Sequence, residues 1–398
     1  MSESSAVPLH MRRVEFSPAP ELGAMRDQER IKQLDALMGL KVWMVTRYAD
    51  VREVLGDAER FKLARQGAAR MPGAPLMSEE QLAELRAGNL LGQDPPEHTR
   101  LRRMLTPEFT IRRMKRLEPR IRNIVDEHLD AMAAAGSPAD LVSSFALPIP
   151  SLVICELLGV PYEDRAGFQS RSGRMLDLSL PVEQRMAANF ESRAYMRELV
   201  TRMRTDPGDD LLGMLIREHG DDLTTSELVG IGNLLLLAGH ETTSNMLSLG
   251  TLALLRHPEQ LELIRREPER IDATVEELLR WLSIVHSGTI KVAATDVELG
   301  GQKIRAGEMV LCALPAANRD PAFIADADVL DVTRGAPGHV AFGHGVHHCL
   351  GAPLARMEMK IAFPALFERF PGLRTTEATP EFRSYNVVYG LTALEVAW

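Results

Sequence analysis

The densest chemistry in this chain is Phe342-Gly343-His344-Gly345-Val346-His347-His348-Cys349-Leu350-Gly351, one cysteine among three histidines and three glycines. Glycine allows backbone turns and close approaches that a side chain obstructs, so such a loop can aim N–H groups at one sulfur. A cysteine thiolate is a soft, strong ligand for iron, and hydrogen bonds to the sulfur tune the metal. Three uses compete. A buried core cysteine packs as a small hydrophobe but leaves the glycines and polar neighbours without a purpose. Zinc held by His344, His347, His348 and Cys349 is the second, although structural zinc sites usually add a second ligand pair farther along, and none stands out. The third is a single axial thiolate to haem iron.

Other reactive groups lie upstream. After Leu234-Leu235-Leu236-Leu237 come Ala238-Gly239-His240-Glu241-Thr242-Thr243-Ser244-Asn245, and then apolar residues return. Polar groups inside a core cost free energy unless each finds a partner, and a glycine beside threonines can distort a helix. Apolar flanks on both sides argue against a patch that merely faces solvent. They favour an acid–alcohol pair, Glu241 and Thr242, in an apolar cavity. Glu277 and Arg280 stand i, i+3 and can pair on one helix face. His98 and Arg102 stand i, i+4 on a helix opened by Asp94-Pro95-Pro96-Glu97, with the prolines where a missing N–H costs little.

These groups need elements to hold them. A strand is expected at 41–46, then a helix at 50–55 capped by Asp50. Residues 60–92 are irregular and rich in Gly, Pro and Met, which suits a binding loop. From Ile111 to about Gly220 helix follows helix. One ends at Gly159 and Pro161 with Cys155 in its core pattern, and others are expected at 182–203 and 209–219. Thr224 and Glu227 form a capping box for a helix running to His257-Pro258, roughly 45 Å long at 1.5 Å per residue. A strand is expected at 291–298, an amphipathic helix at 354–370 and a strand at 382–398.

Composition narrows the class. The chain has 398 residues, enough for a large core, with 45% hydrophobic and 25% charged residues, as in soluble globular proteins. No linker, repeat or low-complexity tract divides it. The 19 methionines suit an adaptable apolar core or pocket. Three cysteines, Cys155, Cys312 and Cys349, make no disulfide framework and fit a reducing cytosol. The start lacks signal-peptide regions, and the apolar runs fall short of the ~20 residues that cross a bilayer. A cytoplasmic, membrane-free protein is expected. A net charge of −9 argues against nucleic-acid binding. Charge is uneven, however. Between 98 and 122 lie Arg100, Arg102, Arg103, Arg112, Arg113, Lys115, Arg116, Arg120 and Arg122 against Glu108 and Glu118, a solvated face or a dock for an acidic partner.

Four of these features, which run along the chain from His98 to Gly351 in the family's order, resemble the cytochrome P450 monooxygenases of the soluble bacterial type. Phe-Gly-x-Gly-x-His-x-Cys-x-Gly is that family's haem-ligand loop, with every fixed position filled. Ala-Gly-x-Glu-Thr-Thr is its oxygen-helix motif, Glu-x-x-Arg its structural lock, and the helix of His98 and Arg102 is similar to its propionate-binding helix.

The resemblance implies a mainly α fold with small β-sheets (α+β), a triangular helical domain spanning 1–398, with haem b between the long helix and the cysteine-loop helix. It implies Cys349 as the iron ligand, and His98, Arg102, Ala238, Gly239, Lys291, Phe342, Gly343, His347 and Gly351 around the cofactor. Gly239 would leave room above the haem. Glu241 and Thr242 would manage protons during insertion of one oxygen atom of O2 into a C–H or C=C bond. Leu235, His240, Ile284, Val285, Val387 and Val388 would line the substrate pocket. Lys291 stands where the family commonly has Arg and lacks the bidentate fork. Val329 stands where many relatives carry an Arg that joins the Glu-x-x-Arg network, and Asn318 or Arg319 is the expected replacement.

No flavin, dinucleotide or iron–sulfur motif occurs in the sequence, so electrons from NAD(P)H would arrive through a reductase and an acidic ferredoxin. That ferredoxin would dock on Arg103, Arg112, Arg113, Lys115 and Arg116. A monomer is expected, acting on a sizeable apolar molecule: a macrolide or other polyketide, with a terpenoid or steroid second. A haem-thiolate peroxygenase or a non-enzymatic haem protein would not need the pair Glu241 and Thr242.

Overall fold

The computed structural model describes residues 7–28, 31–35, 41–63, 77–376 and 379–398, so residues 64–76 of the expected binding loop lie outside the description. The chain forms two compact units. The first comprises Met1–Pro72, Leu249–Cys349 and Glu381–Thr392, and the second Gly73–Ser248, Leu350–Pro380 and Ala393–Trp398.

The first unit is built on a five-stranded sheet in the order Ile31–Asp35, Lys41–Val45, Met309–Cys312, Thr289–Ala293, Phe61–Leu63. Met309–Cys312 runs parallel to Lys41–Val45 and antiparallel to Thr289–Ala293, which sets Val310 opposite both Trp43 and Lys291. The helix Tyr48–Gly56 buries Val51, Val54 and Leu55, one face at i, i+3, i+4, in a cluster with Val45, Phe61, Val310, Cys312 and Val340.

Three local expectations change here. The helix begins at Tyr48 and Asp50 does not cap it; Asp320 Oδ2 accepts from the Tyr48 N–H at 2.8 Å instead. The expected strand at 291–298 breaks after Ala293. Asp296 Oδ1 accepts from the Ala306 N–H at 2.9 Å, and Val297–Leu299 forms a separate hairpin with Gln302–Ile304. Side chains that bond nearby backbone compete with strand ladders in this way. The expected strand at 382–398 is mostly turn: Asn386 Oδ1 accepts from the Val388 N–H at 3.2 Å, and only Glu395–Ala397 is strand.

The second unit is helical, with one small sheet pairing Glu395–Ala397 with Arg374–Thr375 and Ala139–Asp140. Its helices include Glu97–Leu105, Ile111–Ala135, Pro148–Leu158, Arg165–Leu176, Val182–Thr205, Leu211–His219 and Ala352–Arg369. Ala352–Arg369 packs along Ile111–Ala135. The longest helix runs from Thr225 to Arg256, and its final turns from Leu249 belong to the first unit. Its capping box is present: the Thr224 N–H donates to Glu227 Oε2 at 2.9 Å and the Glu227 N–H to Thr224 Oγ1 at 3.2 Å. Among the described residues no helix is long and apolar enough to cross a membrane.

Candidate active site

The cysteine loop rests on the end of the helix Tyr48–Gly56. Gly343 and Gly345 both have φ of 72°, a left-handed conformation that favours glycine. A Cβ at Gly345 would also fall 2.3 Å from the Leu55 carbonyl oxygen, so the turn must be glycine to lie this close. The Cys349 N–H donates to the Phe342 carbonyl at 2.9 Å and the His348 N–H to Gly345 at 3.0 Å, closing the loop on itself. His347 ends a short turn, Gly345–His347.

Of the three cysteines, Cys349 is the exposed one. Burial pushes the thiols of Cys155 and Cys312 up to about 12, which keeps them protonated and poor as ligands. His344 is engaged elsewhere, with Nε2 3.4 Å from an Arg52 guanidinium nitrogen; burial first and Arg52 second hold it below the ordinary histidine value. Among the described residues no three His, Cys, Asp or Glu side chains converge as a metal cluster would. The zinc reading of the loop therefore falls. A single exposed thiol suits a metal whose other ligands come from a macrocycle. Gly351 fits the same group. A Cβ there would meet no described protein atom within 4 Å, which leaves room for a bound group beside the loop.

Glu277 and Arg280, on the helix Ile271–Leu282, pair as expected, and both side chains are wholly buried. Arg280 also donates to the carbonyls of Asn318 at 2.9 Å, Ala327 at 2.7 Å and Val329 at 3.3 Å. The extra arginine is neither of those expected. Arg334 comes within 3.5 Å of Glu277 Oε1, whereas Asn318 bonds Ser283 and Val340, and Arg319 bonds the Trp281 carbonyl and Asp328. Arg334 follows Glu277 by 57 residues and has no local sequence signal.

The middle of the longest helix carries Ala238, exposed, and Leu234, Leu237, Gly239 and Thr242, partly exposed, among buried neighbours. Gly239 is explained by packing as well: a Cβ would lie 2.7 Å from Ile154 Cδ1 on Pro148–Leu158, so the missing side chain admits that helix. Thr242 Oγ1 donates to the Ala238 carbonyl at 2.8 Å. Glu241 is 5% exposed, with Oε2 3.4 Å from Asn245 Nδ2. His240 was expected to line the pocket, yet its ring is wholly buried, edge-on to Phe168 at 5.1 Å. Leu235 is buried at 9%.

Within the first unit the two expected pocket segments adjoin. The Tyr389 N–H donates to the Ile284 carbonyl at 2.8 Å, beside Val388 and next to the partly buried Val285 and Val387. His286, missed by sequence reasoning, braces them. Its ring nitrogens lie 2.7 Å from the Asn386 carbonyl and 3.1 Å from the Met11 carbonyl, and burial with nearby Arg13 lowers its value to about 3. Set among Ser283, Ser287 and Thr289, it carries no local signal. Lys291 is buried at 3% on its strand, in the first unit. His98, buried at 2%, and the partly exposed Arg102 share one face of Glu97–Leu105, in the second.

The basic stretch is partly self-neutralised. Arg100 pairs with Glu227, Arg113 with Glu108 at 2.8 Å, Arg120 with Glu156 at 2.6 Å and Arg122 with Glu118 at 2.7 Å. Arg103, Arg112, Lys115 and Arg116 are exposed, beside Ile111 at 68% exposure.

Comparison with known proteins agrees with this chemistry. Residues 182–384 match the family described as Cytochrome P450. The chain is 47% identical over 399 residues to "Cytochrome P450 FAS1" of Rhodococcoides fascians, covering 100% of both. It is 45% identical to "Pentalenic acid synthase" of Streptomyces avermitilis, covering 96% of this chain and 95% of that one. Among solved structures, CYP105P1 in complex with filipin I superposes with a TM-score of 0.90 at 39% identity, over 97% of each chain. The chain therefore belongs to the cytochrome P450 family of haem-thiolate monooxygenases, whose members bind haem b through a cysteine thiolate.

Proposed function

We propose that this monooxygenase inserts one oxygen atom of O2, by hydroxylation or epoxidation, into a sizeable apolar secondary metabolite, taking electrons from NAD(P)H through a reductase and an acidic ferredoxin. The carrying observation is the exposed Cys349 thiol at the head of a loop that glycines fold tightly. Haem bound to it supplies the activation of dioxygen.

The chain's own residues have separate tasks in this reading. Cys349 is the thiolate ligand, and Phe342, Gly343 and Gly351 shape its loop. His98, Arg102, His347 and Lys291 supply positive charge and N–H donors for the propionates, with Lys291 acting as a point charge. Ala238 and Gly239 bring the long helix's backbone close to the cofactor. Glu241 holds and releases protons at its carboxyl oxygens, and the Thr242 hydroxyl passes them on. Glu277 and Arg280 are structural. Leu235, Ile284, Val285, Val387 and Val388 line an apolar substrate pocket, which excludes water. The chain works as one domain and as a cytoplasmic monomer.

A macrolide or other polyketide is the favoured substrate class, supported by the neighbour crystallised with filipin I. A terpenoid or steroid is the second reading, supported by the relative named for pentalenic acid. Optical titration with members of both classes tests them. The true class should displace the iron-bound water, shift the Soret band and drive NADPH consumption with a surrogate ferredoxin. If neither class shifts the band while other compounds do, the substrate reading is wrong. If no compound supports product formation, the oxygenation reading is wrong.

A further inference from the structure

The side chain of Glu241 sits beside a second titratable group. Nε2 of His240 lies 3.8 Å from Glu241 Oε1, with the imidazole wholly buried and the carboxyl 7% exposed. The other ring nitrogen, Nδ1, lies 2.7 Å from the Leu236 carbonyl oxygen. A carbonyl only accepts, so Nδ1 carries a proton. A neutral ring would then turn the lone pair of Nε2 toward a carboxylate oxygen. A lone pair facing an anion in a buried space is repulsive, and one proton on either atom makes the contact attractive. The geometry is held from several sides. Phe168 meets the ring edge-on at 5.1 Å, and Asn245 Nδ2 reaches Glu241's own carbonyl at 2.6 Å and its Oε2 at 3.4 Å.

We propose that His240 is a positioning residue for Glu241, and that the two share one proton between Nε2 and Oε1. The proposal rests on the reading of Glu241 as a proton donor. Transfer from Nε2 to Oε1 converts imidazolium and carboxylate into imidazole and carboxylic acid. No electrons move, and the pair's net charge is unchanged. Glu241 is thereby loaded with a proton from a group that water does not reach directly, and the ring sets which carboxyl oxygen carries it. At 3.8 Å the two atoms stand beyond hydrogen-bond distance, so sharing the proton requires the contact to tighten, as catalytic hydrogen bonds do when substrate binds.

The test uses the holoenzyme with three variants. His240→Phe keeps a ring against Phe168 but removes the proton site, and His240→Gln keeps a donor near Oε1. With Phe, the share of NADPH electrons recovered in product should fall about tenfold, as when the outer partner of a catalytic group is lost. Peroxide should rise in proportion, and the solvent isotope effect on product formation should change. With Gln, which can orient Oε1 but cannot hand it a proton, part of the coupling should return while the change in the solvent isotope effect stays. Histidine 15N resonances of the diamagnetic ferrous carbon monoxide complex give a readout independent of turnover: Glu241→Gln should shift both ring nitrogens of His240. Equal coupling losses in Phe and Gln, or unmoved His240 resonances in Glu241→Gln, would overturn the proposal. If His240→Phe does not fold, the resonance measurement still decides it. Unimpaired coupling in Glu241→Gln would instead overturn the role of Glu241 itself.

Discussion

Glu277 and Arg280 meet through two hydrogen bonds of 2.7 Å, Nε to Oε2 and Nη2 to Oε1, with neither side chain reaching solvent. The guanidinium then spends its remaining donors on three backbone carbonyls between Asn318 and Val329. One helix thereby holds the segment leading toward the cysteine loop. Replacing Arg280 leaves Glu277 buried with the longer Arg334 contact at 3.5 Å and the Asp331 N–H at 3.1 Å, and breaking such a buried pair costs about 3–5 kcal/mol. Arg280→Met should therefore lower the urea midpoint sharply and reduce haem incorporation. Arg334→Ala removes a contact at 3.5 Å from a side chain 16% exposed, and should cost about 1 kcal/mol or less.

Cysteine identity gives a second prediction. Cys349→Ser should abolish the thiolate-specific absorption of the reduced carbon monoxide complex. Cys155→Ala and Cys312→Ala should keep that band, because burial holds both thiols near 12 and away from ligand chemistry. A lost band in either alanine variant, with the protein still folded, would contradict the assignment.

Gly239 offers a packing test. Alanine there gains about 1 kcal/mol of helix propensity over glycine, but its Cβ would meet Ile154 at 2.7 Å. Overpacking costs about 1–3 kcal/mol, so Gly239→Ala should destabilise the wild type. In an Ile154→Ala background the clash is gone and the same change should stabilise. Denaturant unfolding of the four proteins gives the coupling energy.

Glu358 sets a pH dependence. It is 2% exposed on the helix Ala352–Arg369, its Oε2 has no hydrogen-bond partner among the described residues, and burial alone raises its value well above that of an ordinary carboxyl. The folded state therefore holds a proton that the unfolded chain releases. This contribution is complete below the unfolded value of 4.5 and is lost as pH rises toward the folded value. Glu358→Gln should flatten the decline of melting temperature on the alkaline side, and should leave the protein a few degrees more stable than wild type there.

The basic surface predicts a kinetic effect. Charge reversal at Arg112, Lys115 and Arg116 should slow reduction by ferredoxin about tenfold at low salt, with the difference shrinking as salt screens it. Arg113→Glu and Arg120→Glu should do less, since Glu108 and Glu156 already pair with those residues at 2.8 Å and 2.6 Å. Stopped-flow reduction under carbon monoxide measures both sets.

The chemistry was legible in the sequence because it is local. Cys349 among its glycines, Glu241 beside Thr242, and Glu277 three residues before Arg280 are short-range patterns, and helix periodicity carries them without knowledge of what packs nearby. The helices ending at Gly159 and beginning at Thr224 were legible for the same reason, since caps are read within one turn.

What tertiary structure alone decided lies across long separations. Asp320 caps a helix that sequence assigned to Asp50. Arg334, not Asn318 or Arg319, approaches Glu277. Ile154 faces the missing side chain of Gly239, and His286 ties Met11 to Asn386. Each is a contact in which one residue's chemistry permits many partners, and chain packing selects one. The loop ending in Gly351 joins both classes. Its composition named the thiolate, while the fold showed that Cys349 is exposed, that His344 is engaged by Arg52, and that among the described residues no three His, Cys, Asp or Glu side chains gather as a metal cluster would.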